Sequence, residues 1–270
     1  MKKALAAILA LAIVSLGTTA FAGSIRIDGS TTVLPIAQMC VEQFMKENPD
    51  VKITVSGGGS GNGIKAIIDG TTNIADASRF IKQEEVARAV SKGRYPIPFA
   101  VAYDSIVPIV HPSNPVANLT LAQLKDIYTG KVTNWKALGG PDKGIVVVGR
   151  ETSSGTYETW EEKVMKKERV TPAAQMVASS GALFQTVAGN KYAIGYDGIG
   201  YVKKGVKALT VNGVKATAAT TISGKYPISR PLFMFTNDWP EGDVLDFINF
   251  VLNPKKGQPL VTKAGFVPLY

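Results

Sequence analysis

Three short stretches of the sequence combine glycine with hydroxyl-bearing side chains. They are Gly29-Ser30-Thr31-Thr32, the glycine-rich loop Gly57 to Gly63, and Arg150 to Thr156. Each follows a run typical of a β-strand and precedes a helical pattern. A helix start offers unpaired backbone N–H groups and the positive end of the helix dipole, and Ser and Thr add hydroxyl donors. Three such starts meeting at one point, with one arginine, would bind a small tetrahedral oxyanion.

Each of these loops also has a simpler interpretation. The hydroxyls could be helix N-caps, the glycines a flexible surface turn, and Arg150 one half of a buried salt bridge with Glu151 or another acid. Nucleotide binding is disfavoured, because Asn62 stands where a dinucleotide fingerprint needs its last glycine and no Gly-Lys-Ser/Thr closes a P-loop. Together the loops favour the anion site, because independent helix caps would not need this much glycine.

A fourth candidate segment, Asp76-Ala77-Ser78-Arg79, lies at the end of a predicted strand. Ser78 could donate to an anion, and Arg79 could pair with the ligand or with Asp76; the alternative is a capped turn with a surface ion pair. The predicted anion site therefore draws its hydroxyl, backbone and guanidinium donors from four segments, at Ser30, Thr31, Thr32, Ser60, Gly61, Ser78, Arg79, Arg150, Ser154, Gly155 and Thr156.

No constellation typical of an enzyme stands out. There is no Gly-x-Ser-x-Gly nucleophile elbow, and the single histidine, His111, cannot build a histidine metal site. We therefore predict a protein with no catalytic residue, no metal and no cofactor. The three tryptophans, Trp135, Trp160 and Trp239, are predicted to lie in the core rather than to act as stacking platforms.

Residues 1–22 are typical of a cleavable signal peptide. Lys2 and Lys3 precede an apolar run from Ala4 to Leu16, and Ala20-Phe21-Ala22 fits a cleavage site. A transmembrane helix is the alternative, but the run is short for a bilayer. The single cysteine, Cys40, lies too far from the signal to carry a lipid anchor and is predicted to be a buried small hydrophobe. The sequence thus predicts a periplasmic protein that is not lipid-anchored.

The charge of the chain favours a small anionic partner. The formal net charge is +9, and it falls to +7 once Lys2 and Lys3 leave with the signal. The lysines and arginines are scattered, without a block of five like charges. A mild field that raises the local concentration of small anions explains this pattern better than nucleic acid or membrane binding.

Strand-like runs alternate with helical patterns along the chain, which predicts an α/β fold with a parallel core. Strands are predicted over 25–28, 51–55, 73–78, 105–110 and 144–148, and helices over 35–47, 63–69, 84–91, 121–128, 156–167, 180–187 and 242–252. The proline-rich passage 95–99 is predicted to lie outside a strand, and the last helix is predicted to have no sheet of its own.

These elements form two α/β blocks, which predict two lobes. Lobe I comprises residues 23–100 plus 231–270, and lobe II comprises residues 104–228. Two chain crossings, near Ala100–Asp104 and Ser229–Phe233, would act as a hinge. The loops would line the cleft between the lobes, because ligands collect at the carboxyl ends of parallel strands.

From about Ser24 to Tyr270 the chain resembles the phosphate-binding proteins of the phosphate-specific ABC transporter. The resemblance is most specific in five segments, Gly29 to Thr32, Gly59 to Gly63, Leu121 to Trp135, Arg150 to Thr156 and Tyr226 to Leu232. It implies a two-lobed, venus-flytrap (type II) periplasmic binding-protein fold with one dehydrated phosphate between the lobes. The implied function is high-affinity phosphate binding and delivery to a membrane permease, by a monomer.

The resemblance also implies which residues donate to phosphate. Thr31 or Thr32 and Ser60 would donate from the first lobe, and the second lobe would supply Arg150, Ser154, Gly155 and Thr156. Long members of the family carry an aspartate, which accepts the phosphate proton, where this chain has Ser78, and an acid where it has Thr152. An acceptor would have to be another acid, with Asp76, Glu151, Asp28 and Asp197 as candidates.

These departures keep two other functions open. The same scaffold could bind another tetrahedral oxyanion, namely sulfate, molybdate or tungstate. Less favoured is an exported phosphoester hydrolase, because the sequence offers neither metal ligands nor a nucleophile elbow.

Overall fold

The computed structural model of the protein describes residues 24–270. The predicted signal peptide, residues 1–22, lies outside the described residues. Within 24–270 there is no helix with both the length and the apolar character that crossing a membrane requires.

The strands and helices alternate along the chain, as the sequence predicts. The strands are β1 (Ser24–Gly29), β2 (Lys52–Gly57), β3 (Ile74–Ala77), β4 (Pro96–Val110), β5 (Asn118–Leu119), β6 (Val146–Arg150), β7 (Gln175–Val177), β8 (Ala193–Gly198), β9 (Lys207–Ala208), β10 (Thr210–Val211) and β11 (Ser229–Asn237). The helices are α1 (Leu34–Glu47), α2 (Ser60–Asp69), α3 (Gln83–Ser91), α4 (Leu121–Tyr128), α5 (Gly155–Trp160), α6 (Ser180–Ala188), α7 (Ala218–Ile222), α8 (Gly242–Leu252) and α9 (Gly257–Lys263).

One sheet joins the two lobes. Its strand order is β2-β1-β3-β11-β4-β8-β6-β7, with β9 also paired to β4. Strands β1, β2 and β3 are mutually parallel and form the first lobe, and β6, β7 and β8 are parallel and belong to the second. The antiparallel strands β4 and β11 lie between the two parallel groups. The structure confirms the α/β class and the two-lobed architecture.

Strand β4 corrects the prediction for the proline-rich passage. It begins at Pro96 rather than at Ser105, and its first half pairs with β11. A proline has no backbone N–H, and it fits a strand only where the ladder does not need one. Pro96 and Pro98 lie two residues apart, so their ring nitrogens face the same edge. That edge needs no donor, because pairing with β8 starts only at Ile106.

The end of the chain and the helix after Arg150 also differ from the prediction. Residues after 231 contribute to a strand, β11, before helices α8 and α9. The helix predicted over 156–167 ends at Trp160 and is followed by one π-helical turn, Glu161–Met165. The helix bounds predicted over 121–128 and 242–252 are confirmed.

Each lobe has its own apolar core. In the first lobe, α8 packs on α1, where the Phe44 ring lies 5.4 Å from Phe247 and 5.5 Å from Phe250. In the second lobe, Trp160 stacks on Tyr196 with the ring centroids 4.1 Å apart. Trp135 and Cys40 are also buried, as predicted. The prediction for Trp239 is wrong: it follows β11 at the surface and is 67% exposed.

Candidate functional site

The carboxyl ends of three strands deliver the predicted loops to the cleft between the lobes. Strand β1 ends at Gly29, β2 at Gly57 and β6 at Arg150, and helices α1, α2 and α5 begin within a few residues. Because β1 and β2 are parallel and in register to their last residues, their two loops leave the same edge of the sheet. The short strand-to-helix turns therefore place helix N-termini at the cleft.

Two pairs of residues from opposite lobes make direct polar contacts across the cleft. The Thr32 and Thr156 hydroxyl oxygens lie 2.9 Å apart. Arg150 donates from Nη2 to the Thr31 hydroxyl oxygen at 2.9 Å. All four residues are buried. The structure thus brings together the first loop and the arginine loop.

Gly155 brings the glycine-rich loop and the third strand to the same place. A Cβ atom at Gly155 would lie 2.5 Å from Ser60 Oγ and 2.8 Å from Ser78 Oγ, so these side chains or the loop would have to shift. The Ser60 and Ser78 oxygens are themselves 3.2 Å apart, and Ser60 Oγ accepts the Ser78 backbone N–H at 3.0 Å. Only glycine lets the second lobe approach these hydroxyls so closely.

One of the predicted serines caps a helix, and another makes a similar contact in a turn. Ser154 Oγ accepts the backbone N–H of Thr156 at 3.2 Å, which satisfies an orphan donor at the start of α5. Ser30 Oγ accepts the backbone N–H of Thr32 at 3.1 Å, in the turn that precedes α1. Since a hydroxyl accepts through its lone pairs, the hydrogen of each serine remains available to an anion.

Arg150 is held on two sides. Nη1 donates to Ser180 Oγ at 2.9 Å, and Nη2 donates to Thr31 Oγ1 at 2.9 Å and to the Ala178 carbonyl at 3.1 Å. A guanidinium has five N–H bonds, so two remain, on Nε and Nη1. Nε is buried and has no partner among residues 24–270. Within the same residues Arg150 has no direct salt bridge, so the alternative pairing with Glu151 is not formed.

Sequence reasoning gave no role to Ser180 and offered Asp197 only as a proton acceptor. Ser180 begins α6 and donates from Oγ to Asp197 Oδ1 at 2.7 Å. The Gly198 backbone N–H donates to the same oxygen at 2.9 Å. Asp197 is fully buried on β8, and this burial raises the pKa of its carboxyl to about 6, although Arg150, Ser180 and Gly198 favour the charged form.

A second buried arginine, Arg230 on β11, was not predicted at all. It donates to Asp104 Oδ2 from Nε at 3.0 Å and from Nη2 at 2.9 Å, and Nη2 also donates to Thr156 Oγ1 at 2.9 Å. Asp104 faces it in register on β4. Both residues lie in the two predicted chain crossings. The sequence signal that could have identified this pair is one acid and one base, each in an otherwise apolar crossing.

Comparisons with known proteins show which family the chain belongs to. The model of the PBP superfamily domain matches residues 16–255. The phosphate-binding protein PstS of Staphylococcus epidermidis (strain ATCC 35984) is 37% identical over 259 residues, covering 91% of this chain and 78% of its own. The PstS protein of Bacillus subtilis (strain 168) is 32% identical over 249 residues, covering 92% and 81%. The chain belongs to the PBP superfamily and, within it, to the PstS family.

Solved structures place the fold in the same family. A crystal structure of a candidate phosphate ABC transporter substrate-binding protein from Clostridium perfringens, with phosphate bound, has a TM-score of 0.85 and 40% identity. The alignment covers 92% of this chain and all of that one. An ABC-type phosphate transport receptor from Vibrio cholerae has a TM-score of 0.74 and 32% identity, with 90% and 99% covered.

Two residues predicted to bind the anion make other contacts in this PstS family member. The single N–H of Gly61 donates to the Ser153 carbonyl at 2.9 Å. The Arg79 guanidinium lies 2.8 Å from Glu85 on α3 and 2.8 Å from Glu158 on α5. It therefore does not pair with Asp76 as the sequence suggested. Ser153 and Glu158 belong to the second lobe, so both contacts bridge the lobes, and the single N–H of Gly61 is already used within the protein.

The remaining candidate acids differ sharply in their surroundings. Asp28 pairs with Arg26 at 2.6 Å and also contacts Ser56, and Glu151 is exposed. Asp76 is buried on β3, and Oδ1 has no partner within residues 24–270. Burial raises the pKa of Asp76 well above its ordinary value, with a smaller contribution from Asp28. Asp197 is the acid that is linked to Arg150 through one hydroxyl.

Proposed function

We propose that this protein binds inorganic phosphate between its two lobes and delivers it to an ABC transporter. The observation that carries the proposal is the convergence of hydroxyls from both lobes on Arg150, a buried guanidinium with two N–H bonds to spare. The PstS relatives named above are phosphate-binding proteins, and the related Clostridium perfringens structure holds phosphate. The function is capture of a ligand rather than catalysis.

The chemistry of the site suits a small, strongly hydrated oxyanion. A buried phosphate needs a donor for nearly every lone pair, because each buried polar group left unpaired costs roughly 1–3 kcal/mol. We assign these donors to Ser30, Thr31, Thr32, Ser60, Ser78, Arg150, Ser154, Gly155 and Thr156, all of which are buried at the cleft. The N-termini of α1, α2 and α5 add favourable dipoles.

Delivery requires that the transporter can recognise the loaded protein. We infer that the lobes close around the anion about a hinge at Ala100–Asp104 and Ser229–Phe233, with lobe I as residues 23–100 plus 231–270 and lobe II as residues 104–228. The closed form then presents one surface to the membrane permease. We place the mature protein in the periplasm as a monomer that is released from its signal peptide and carries no lipid anchor. The family relationship supports this setting.

Calorimetry on the purified protein tests the proposal. Phosphate is expected to bind with a micromolar or lower Kd, which corresponds to about 8 kcal/mol or more. Sulfate, molybdate and tungstate are expected to bind far more weakly, since the family comparisons do not favour those alternatives. An absence of phosphate binding, or tighter binding of another of these anions, would refute the assignment.

A further inference from the structure

Behind Arg150 a chain of hydrogen bonds leads to a buried carboxylate on the far side of Ser180. Arg150 Nη1 donates to Ser180 Oγ at 2.9 Å, and Ser180 Oγ lies 2.7 Å from Asp197 Oδ1. A guanidinium can only donate, so the Ser180 hydroxyl must accept from Arg150 and give its own hydrogen to Asp197. The donor and the acceptor of both hydrogen bonds are therefore fixed. Together the two bonds hold the Nη1 edge of the Arg150 guanidinium in place.

Ser180 also contacts Thr31 of the first lobe. The Ser180 backbone N–H donates to Thr31 Oγ1 at 3.2 Å, and Arg150 Nη2 donates to that oxygen at 2.9 Å. With both acceptor positions of Thr31 occupied, its hydroxyl hydrogen must point away from Arg150 and Ser180. The Ser180 hydroxyl thus links Asp197 to Arg150, and Arg150 in turn contacts Thr31.

Asp197 is only half satisfied by these contacts. Oδ1 accepts from Ser180 and from the Gly198 backbone, but Oδ2 is buried and has no partner among residues 24–270. A buried carboxylate oxygen without a donor destabilises the charged form. The raised pKa of Asp197, about 6, has burial as its main cause and agrees with this geometry.

The charges around Asp197 balance only while the cleft is empty. The charged and titratable side chains that face it come from four strands and one turn, and they are Arg150 on β6, Asp104 on β4, Arg230 on β11, Tyr196 on β8 and Tyr201. The phenols are neutral, so two arginines face two aspartates. A phosphate dianion would add two negative charges to this dry, nearly neutral cluster.

Protonation of Asp104 or Asp197 would reduce this excess of negative charge. Their hydrogen-bond contacts indicate which of the two takes up the proton. Asp104 receives two hydrogen bonds from Arg230 and one from the Ile199 backbone, and these contacts favour its charged form against the burial that raises its pKa. Among residues 24–270, no arginine contacts Asp197 directly. Asp76, the other buried acid of the cleft region, faces Asp28 and Cys40 in the first lobe rather than Arg150.

We propose that Asp197 is a positioning residue that orients Arg150 through Ser180 and takes up a proton when the anion enters the cleft. The proposal rests on phosphate binding as proposed above. The proton goes from solvent to the Asp197 carboxylate, and no bond of the anion is broken. Phosphate capture would thereby be linked to pH by a residue that does not touch the ligand.

Asp197→Asn tests the proton uptake, because asparagine can still accept from Ser180 but cannot titrate. The Kd for phosphate is measured by calorimetry from about pH 6.5 to pH 8.5, in buffers of different ionisation enthalpy. We expect the wild type to take up as much as one proton more than the variant. The ratio of the wild-type Kd to the variant Kd should then rise with pH, by up to about tenfold per unit.

The ionisation of phosphate itself cancels in this ratio. Asp50→Asn, which removes a charge from an exposed position, serves as the matched control and should follow the wild type. Equal proton uptake and a flat ratio for Asp197→Asn would overturn the proposal. If the wild type does not bind phosphate at all, the proposed function fails instead, so the two failures are distinguishable.

Two further measurements guard against a variant that folds poorly. Carboxyl-carbon NMR on the wild type should show the pKa of Asp197 rising on addition of phosphate; an unchanged or lower pKa would contradict the proposal. Ser180→Ala should weaken phosphate binding at least tenfold, because Arg150 loses its fixed partner. Ser179→Ala removes only the neighbouring cap of Ala182 and should leave the Kd unchanged. Equal Kd values for Ser180→Ala and the wild type would contradict the positioning role.

Discussion

The two buried arginines of the cleft, Arg150 and Arg230, have opposite relations to their carboxylates. Arg230 contacts Asp104 directly, through Nε and Nη2 at 3.0 and 2.9 Å, so its charge is neutralised within the protein. Arg150 reaches Asp197 only through the Ser180 hydroxyl. Both side chains are less than one-tenth exposed. Two arginines that are both buried can therefore have different roles.

The difference separates a structural charge from a binding charge. A directly paired guanidinium has few donors left and gains little from an anion. A guanidinium that is separated from its carboxylate by one hydroxyl group keeps two N–H bonds free. Its positive charge is only partly neutralised. We infer that Arg230 fixes the paired strands β4 and β11 together with Thr156, and that Arg150 grips the ligand. Variants of each arginine can break this distinction.

The largest expected effect is on folding, for Arg230→Met. It leaves Asp104 buried and unpaired, which costs about 3–5 kcal/mol of the free energy of unfolding. Chemical denaturation without phosphate measures the loss. Arg230→Met combined with Asp104→Leu should recover most of it, because removing both charges also removes the desolvation penalty. If the double variant is as unstable as the single one, the charge pair is not the cause.

Arg150→Ala should act on binding instead. It removes two charge-assisted N–H donors, each worth about 1.5–3 kcal/mol, so phosphate affinity should fall at least about hundredfold. Calorimetry measures the Kd, and denaturation should show a much smaller change than for Arg230→Met. Arg169→Ala, at an exposed position of the same lobe, is the matched control. An unchanged Kd would remove Arg150 from the site.

Gly155→Ala tests how closely the second lobe, which carries Arg150, must approach the first lobe. The added Cβ would lie 2.5 Å from Ser60 Oγ in the closed form, so the lobes must stay slightly apart. Overpacking of this kind costs about 1–3 kcal/mol, and we expect at least about tenfold weaker phosphate binding. Gly181→Ala, whose Cβ would meet only Ser179 Oγ at 3.9 Å, should bind like the wild type. Wild-type affinity for Gly155→Ala would show that closure is looser than the structure.

The sequence singled out Arg150 but not Arg230, for a physical reason. Arg150 stands in a local pattern, an apolar strand followed by a serine and glycine helix start, which is legible along the chain. Arg230 acquires its role from Asp104, which lies 126 residues away in sequence and becomes its neighbour only through the register of β4 and β11. Ser180 is likewise joined to Arg150 only by tertiary packing.

Gly61 and Arg79 also have partners that are distant in the sequence. Both lie in segments that were predicted to face the anion, and both segments do lie at the cleft. Gly61 donates its N–H to the Ser153 carbonyl of the other lobe, Arg79 forms an ion pair with Glu158 of that lobe, and no local pattern records those partners. Strand β11 was missed because Pro231 lies inside it, and proline argues against a strand from sequence alone.

The smallest expected effect on phosphate binding concerns Arg79, a third arginine at the cleft beside Arg150 and Arg230. Its ion pair with Glu158 crosses the cleft at 2.8 Å, and the two side chains are only 9% and 15% exposed. Glu158→Gln should weaken phosphate binding only about two- to fivefold, because Arg79 keeps its ion pair with Glu85 and glutamine can still accept a hydrogen bond. The difference between variant and wild type should change little with salt concentration, because partly buried pairs are screened only weakly. Glu162→Gln removes a nearby exposed charge and is the control. A hundredfold loss for Glu158→Gln would mean that Arg79, rather than Arg150 alone, belongs to the anion site.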